Sequence, residues 1–179
     1  MYGIINTAVE QLIVENYGND TWLEIKKKAG VAEEQFVNMQ PYDDKITYAM
    51  VGAAAEVLRL EAAEVLEKFG EYWILHTAKE GYGNLLNMGG NNLPDFLKNL
   101  NTLHFKVGSL MPNLVPPSFE VFELTSNSLL LVYTTKRIGL APMVVGLIKG
   151  LGIRFNTPCN VLYLSDSSKE FSHHFKVSW

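Results

Sequence analysis

The chain carries a single cysteine, Cys159, in 179 residues. That excludes an internal disulfide and leaves no Cys-x-x-Cys spacing for zinc or thiol-redox work; Cys159 itself reads as a buried strand residue. Positive charge is thin as well: 15 Lys and Arg stand against 19 Asp and Glu, for a formal net charge of -4. Nucleic acid is therefore not expected as a partner, because phosphate binding needs clustered Lys and Arg. The short run Lys26-Lys27-Lys28 reads as one solvated helix face. No apolar run approaches the roughly 20 residues a membrane-spanning helix requires, so no membrane association is expected. The opening Met1-Tyr2-Gly3-Ile4-Ile5-Asn6 has neither the basic region nor the long apolar core of a signal peptide, which makes cytoplasm the expected compartment. Phosphate loops of the GxGxxG or GxxxxGK[ST] type, a GxSxG elbow and an HExxH helix are all missing. With carboxylates scattered as solubilising faces on amphipathic helices, no enzymatic activity is expected.

What is present is apolar and aromatic: 47% hydrophobic, 19% charged and 11% aromatic residues. A chain of this length supports one domain with a substantial core, and two full domains would be cramped. Ile4, Ile5, Ala8, Val9, Leu12 and Ile13 recur at helical spacing, and Gly18 ends the segment. Asp20 is placed to cap a second helix carrying Trp22, Leu23 and Ile25, which Gly30 terminates. After a loop around Pro41, Asp43 and Asp44, a third helix covers 45–59. A fourth, over 61–79, turns Val65, Leu66, Phe69, Tyr72 and Trp73 inward. A short helix between turns is expected within 81–92. Pro94 suits a first helical turn, and Phe96, Leu97, Leu100, Leu103, His104, Val107, Leu110 and Met111 follow as one apolar stripe until Pro112, Pro116 and Pro117 stop it.

From Ser118 the period becomes two. Strands over 118–124 and 128–136 join at Ser126-Asn127, and strands over 159–164 and 170–178 join through the polar turn Ser165 to Lys169. Pro142 opens a helix between the pairs that runs to about Phe155. The fold class is α+β: a helical N-terminal part to about residue 60, and a part over 61–179 that ends in a four-stranded, largely antiparallel sheet.

Few residues here carry chemistry. His173 and His174 are adjacent on a strand, point to opposite faces and cannot chelate one metal together. His76, near the end of the fourth helix, suits an ordinary capping role. His104 alone on an apolar helix face reads as a core histidine bonded to a carbonyl, but a neutral imidazole there also supplies an axial iron ligand in a dry site. On a strand, residues two apart point the same way, so Tyr133, Thr135 and Arg137 share one face. They span about 13 Å at roughly 3.3 Å per residue, the scale of a flat cofactor with two acid groups. Two hydroxyls and a guanidinium fork suit carboxylates; without such a cofactor they are a half-exposed polar strand face. Together, His104 and this trio suggest a haem held by its iron and its propionates.

Further landmarks are Phe69-Gly70-Glu71-Tyr72-Trp73, Leu103-His104, Pro116-Pro117-Ser118-Phe119 and Gly139-Leu140-Ala141-Pro142-Met143. With Met1 to Asn6 and Tyr133-x-Thr135-x-Arg137, they make the chain resemble, over essentially its whole length, the haem nitric oxide/oxygen-binding (H-NOX) domains related to the haem domain of soluble guanylate cyclase. The family's Tyr-x-Ser-x-Arg signature has threonine for serine here, which keeps the hydroxyl. The resemblance implies a single domain over 1–179, with a distal helical part to about 60 and a proximal helix-and-sheet part over 61–179, and haem b (Fe-protoporphyrin IX) between them. It makes His104 the proximal iron ligand beside Leu103 and Val107. Tyr133, Thr135 and Arg137 become propionate donors, and Ile5 and Pro117 press on the macrocycle. Val9, Trp73, Met143 and Leu147 line the distal pocket, and Gly70 and Gly146 serve as hinges.

Oxygen-binding relatives place a distal tyrosine on the helix after the signature; aligned on Gly146, that position is Met143, and no tyrosine lies between Ile138 and Leu162. The resemblance thus implies a sensor of nitric oxide, binding carbon monoxide and excluding oxygen. It signals by release of His104 to a partner, a signalling histidine kinase or a cyclic-di-GMP enzyme. Two other classes stand beside it: an oxygen-binding haem protein or haem enzyme with Trp73 as distal donor, and a haem-free interaction module.

Overall fold

The structure, a computed structural model, describes residues 1–77, 83, 86–111, 114–166 and 171–179, the side chains of Leu110, Ser165 and Asp166 apart. Expectations for Lys79, for Pro112, for residues 81, 82, 84 and 85 and for most of the Ser165 to Lys169 turn fall outside these residues. The chain forms two compact units, Met1–Phe69 and Gly70–Trp179.

In the first unit, α1 (Gly3–Tyr17), α2 (Asn19–Lys28) and α3 (Asp44–Leu58) are followed by the start of α4 (Ala62–Tyr72). The α1 stripe is as the spacing predicts: Ile4, Ala8, Val9, Leu12 and Ile13 are buried, and Ile5 is half-buried. Gly3 sits where a Cβ would come within 2.1 Å of the Val37 carbonyl oxygen, so only glycine lets the chain enter α1 against that loop. Fully buried Asn6 accepts a 2.6 Å hydrogen bond from Thr47 Oγ1, joining α1 to α3. One cap differs from expectation. Gly18, at φ 88, stands before α2, and Asp20 lies inside its first turn, where its charge complements the helix dipole instead of capping. For α3 the cap is Asp43, whose carboxylate accepts from the Lys45 N–H at 2.9 Å.

In the second unit, α4 continues past Tyr72 into a π-helical turn over Trp73–Thr77. Helix α5 spans Leu93–Leu110 and α6 spans Ala141–Arg154. Strands β1 (Ser118–Phe122), β2 (Ser128–Thr134), β3 (Asn160–Asp166) and β4 (Ser172–Ser178) form a four-stranded sheet in the order β1-β2-β4-β3, every pairing antiparallel. The predicted α+β class and antiparallel sheet are therefore present, with β1 and β2 each shorter than expected by two residues. Burial alternates along β2, with Leu129, Leu131 and Tyr133 inward, and these meet Phe96, Leu97, Ile148, Phe175 and Val177 in the core. Each such large apolar side chain contributes about 1.5–3 kcal/mol on burial.

Gly70, expected as a hinge, has a packing reason. A Cβ on Gly70 would lie 2.2 Å from the Met143 carbonyl oxygen and 3.1 Å from the Gly146 carbonyl carbon. A Cβ on Gly150 would meet Ile74 Cβ at 3.0 Å. Glycine lets the α4 backbone and its π-helical extension lie directly against α6.

Candidate functional site

Helix α5 opens on a reciprocal cap. Asn92 Oδ1 accepts from the Asp95 N–H at 2.9 Å, and Asn92 Nδ2 donates to Asp95 Oδ2 at 2.8 Å. Three turns on, His104 lies with its ring stacked on Phe119, centroids 5.6 Å apart and planes at 20°. Its Nδ1 is buried and has no hydrogen-bond partner among the described residues. Burial also holds the imidazole below its ordinary value of 6.5, so the ring is neutral with a lone pair to offer. The carbonyl-bonded core histidine that the sequence also allows thus lacks its bond at Nδ1. Leaving a buried polar atom unpaired costs about 1–3 kcal/mol, and an iron ligand is one use that offsets it.

Phe119 is the first of a row of rings. It is the cross-strand partner of Tyr133 at 5.1 Å, and Tyr133 is that of His173 at 5.7 Å. His173 Nδ1 shares a 3.0 Å hydrogen bond with Tyr163 Oη. The row carries the aromatic face from His104 across the inner side of the sheet to its far edge, so His173 is built into the sheet.

The Tyr133, Thr135 and Arg137 trio departs from the strand expectation. β2 stops at Thr134; the Thr135 N–H still donates to the Phe171 carbonyl at 3.0 Å, but Thr135 Oγ1 accepts from the Arg137 N–H at 3.1 Å and turns the chain. A hydroxyl that bonds its own backbone two residues on competes with the ladder. Strand alternation therefore does not reach Arg137. Its guanidinium instead donates from Nη1 to the Val115 carbonyl at 3.1 Å, beside Pro116 and Pro117. Tyr133 and Thr135 are buried.

Of the remaining predicted residues, Leu103 is buried, whereas Val107, Pro117, Trp73, Met143 and Leu147 are half-buried in this same unit. Trp73 opens the π-helical turn, and Met143 and Leu147 lie on α6, which packs against it. Ile5 and Val9 belong to α1 in the first unit. Sequence reasoning passed over two residues with buried or specific polar groups. Thr77 closes the π-helical turn with a buried hydroxyl that has no partner among the described residues. Asn101, on α5, makes two hydrogen bonds to the backbone of Phe119. The Asn-x-x-His spacing was readable, but nothing in it tells what the amide would bind.

This donor set fits a haem: a neutral imidazole with an unpartnered buried nitrogen, and a tyrosine, a threonine and an arginine for the acid groups. Residues 2–162 match the model of the family described as haem-NO-binding. The chain belongs to this family, the H-NOX domains. It is a haem gas-sensing domain related to soluble guanylate cyclase. Soluble guanylate cyclase gcy-32 of Caenorhabditis elegans is 34% identical over 158 residues, covering 86% of this chain and 23% of the cyclase. Its relative gcy-35 is 29% identical over 174 residues, covering 95% and 25%. The H-NOX chain thus spans about a quarter of these curated relatives. Among solved structures, the Fe(II) unliganded H-NOX protein from K. algicida aligns with TM-score 0.85 at 20% identity, over 99% of this chain and 96% of that one. The Fe(II)NO form of an H-NOX protein from S. oneidensis aligns with TM-score 0.85 at 18% identity, over 99% and 98%. These likenesses establish the H-NOX fold. Among the described residues, no helix is long and apolar enough to cross a membrane.

Proposed function

We propose that this H-NOX domain is a nitric oxide sensor using haem b, with His104 as the protein ligand to iron and no catalytic role of its own. The observation that carries the reading is the buried, unpartnered Nδ1 of a neutral His104 on the apolar face of α5. When bound, ferrous haem would supply a site for nitric oxide or carbon monoxide, with His104 as the protein ligand to iron. Tyr133, Thr135 and Arg137 donate to the propionates, and Pro117 and Ile5 bear on the ring. Leu103 and Val107 keep the histidine side dry, while Val9, Trp73, Met143 and Leu147 keep the gas side apolar.

Oxygen is discriminated against by what α6 offers. Bound oxygen gathers negative charge and needs a donor in a low-dielectric site, whereas nitric oxide needs none. Met143 supplies no donor. His104 would signal through α5 on its release from the iron, with the output passing to a partner in the cytoplasm: a signalling histidine kinase or a cyclic-di-GMP enzyme. The balance moves only as far as the ligand's differential affinity allows.

The test is His104→Ala. The variant is expected to lose haem and to regain it with external imidazole; full retention with an unchanged absorption spectrum would refute the assignment. One observation favours a second reading, oxygen binding with a donor from the π-helical turn: the buried hydroxyl of Thr77, one turn beyond Trp73, has no partner among the described residues. An oxygen complex that Thr77→Val or Trp73→Phe abolishes would select it.

A further inference from the structure

We propose that Asn101 is a positioning residue that sets the orientation of the His104 ring through Phe119. The proposal rests on the reading of His104 as the iron ligand. A metal-bound histidine is ordinarily oriented by protein groups beyond the metal. For His104 the ring contact that the structure gives is Phe119, at 5.6 Å and 20°. Whatever fixes Phe119 therefore fixes the imidazole.

Phe119 lies on β1, an edge strand of the sheet, so one side of its backbone lacks a neighbouring strand. Asn101 takes that place. Its Nδ2 donates to the Phe119 carbonyl at 2.7 Å, and its Oδ1 accepts from the Phe119 N–H at 2.9 Å. The side-chain amide acts as a peptide group added to the edge, closing it as a further strand would. Asn101 and His104 stand one helical turn apart on the same face of α5. The helix thus holds Phe119 by its backbone at one turn and stacks on its ring at the next. Only a planar group with a donor and an acceptor can do this. A carboxylate cannot donate to the carbonyl, and leucine does neither.

The experiment compares Asn101→Leu, Asn101→Asp and Phe119→Leu with Asn99→Ala. Asn99 is a control on the same helix, whose Nδ2 donates to the Gly89 carbonyl at 2.9 Å. In the haem-free protein, Asn101→Leu is expected to speed hydrogen exchange at the Phe119 amide roughly tenfold, and to remove the ring-current shift of the His104 ring protons. Asn101→Asp, which keeps the acceptor, should leave Phe119 exchange slow and shift the ring signals part-way; it also serves should the leucine variant not fold. Phe119→Leu should abolish the ring shift while its own amide stays protected. In reduced, haem-loaded protein, the iron–histidine stretching band should move in the Asn101 and Phe119 variants and stay put in Asn99→Ala. Unchanged His104 ring signals and an unchanged band in either Asn101 variant would overturn the proposal, leaving the clamp as scaffolding. Wild-type protein that binds no haem would instead defeat the ligand reading, with the haem-free signals still deciding whether Asn101 orients the ring.

Discussion

At the scale of single residues, burial decides the state of the two most telling side chains. The folded protein holds the His104 imidazole below 6.5 by desolvation. As pH falls through that value, the unfolded chain takes up a proton that folded His104 refuses, so haem-free protein should lose stability until the folded ring protonates too. Denaturant titrations between about pH 7 and pH 5 should show this loss, and His104→Phe should flatten it. Burial raises the Cys159 thiol, whose Sγ lies 3.6 Å from the Ile148 carbonyl. Alkylation of the native protein at neutral pH should therefore be much slower than after unfolding; equal rates would contradict this placement. His104, Tyr133 and Arg137 were legible as candidates because each pairs a rare side-chain chemistry with a periodic setting. Asn101 was not, because its partner is the backbone of an edge strand, and backbone leaves no mark in the sequence.

Elements were legible where hydrophobic period and caps agreed. The α1 stripe ends at Gly18, the α5 stripe follows Pro94, and the alternation of β2 runs through Tyr133, all as read. The strand end at Thr134 was not, because Thr135 and Arg137 continue the alternation while Thr135 Oγ1 bonds the Arg137 N–H and bends the chain. The π-helical turn over Trp73–Thr77 was invisible too, since helical period does not separate it from α4. Glycines divide at this scale by surroundings. Gly70→Ala should lower stability by about 1–3 kcal/mol, because its Cβ would strike the α6 backbone. Gly52→Ala, on α3 with nothing within 4 Å of its Cβ, should raise stability by about 0.5–1 kcal/mol. Thermal unfolding of both variants checks the pair; a tolerated Gly70→Ala would contradict the close helix contact.

At the scale of the whole molecule, family membership and fold were both readable from ordered landmarks spread over the chain, each weak alone. His104, Tyr133, Thr135 and Arg137, the proposed haem-holding residues, lie in the second unit, and Ile5 and Val9 lie on α1 of the first. The most direct measurement is the absorption spectrum of reduced, haem-reconstituted protein, recorded in air and then with nitric oxide. The account predicts a strong Soret band that persists unchanged in air and shifts on nitric oxide. A missing Soret band, or conversion in air to a stable oxygen complex, would contradict it.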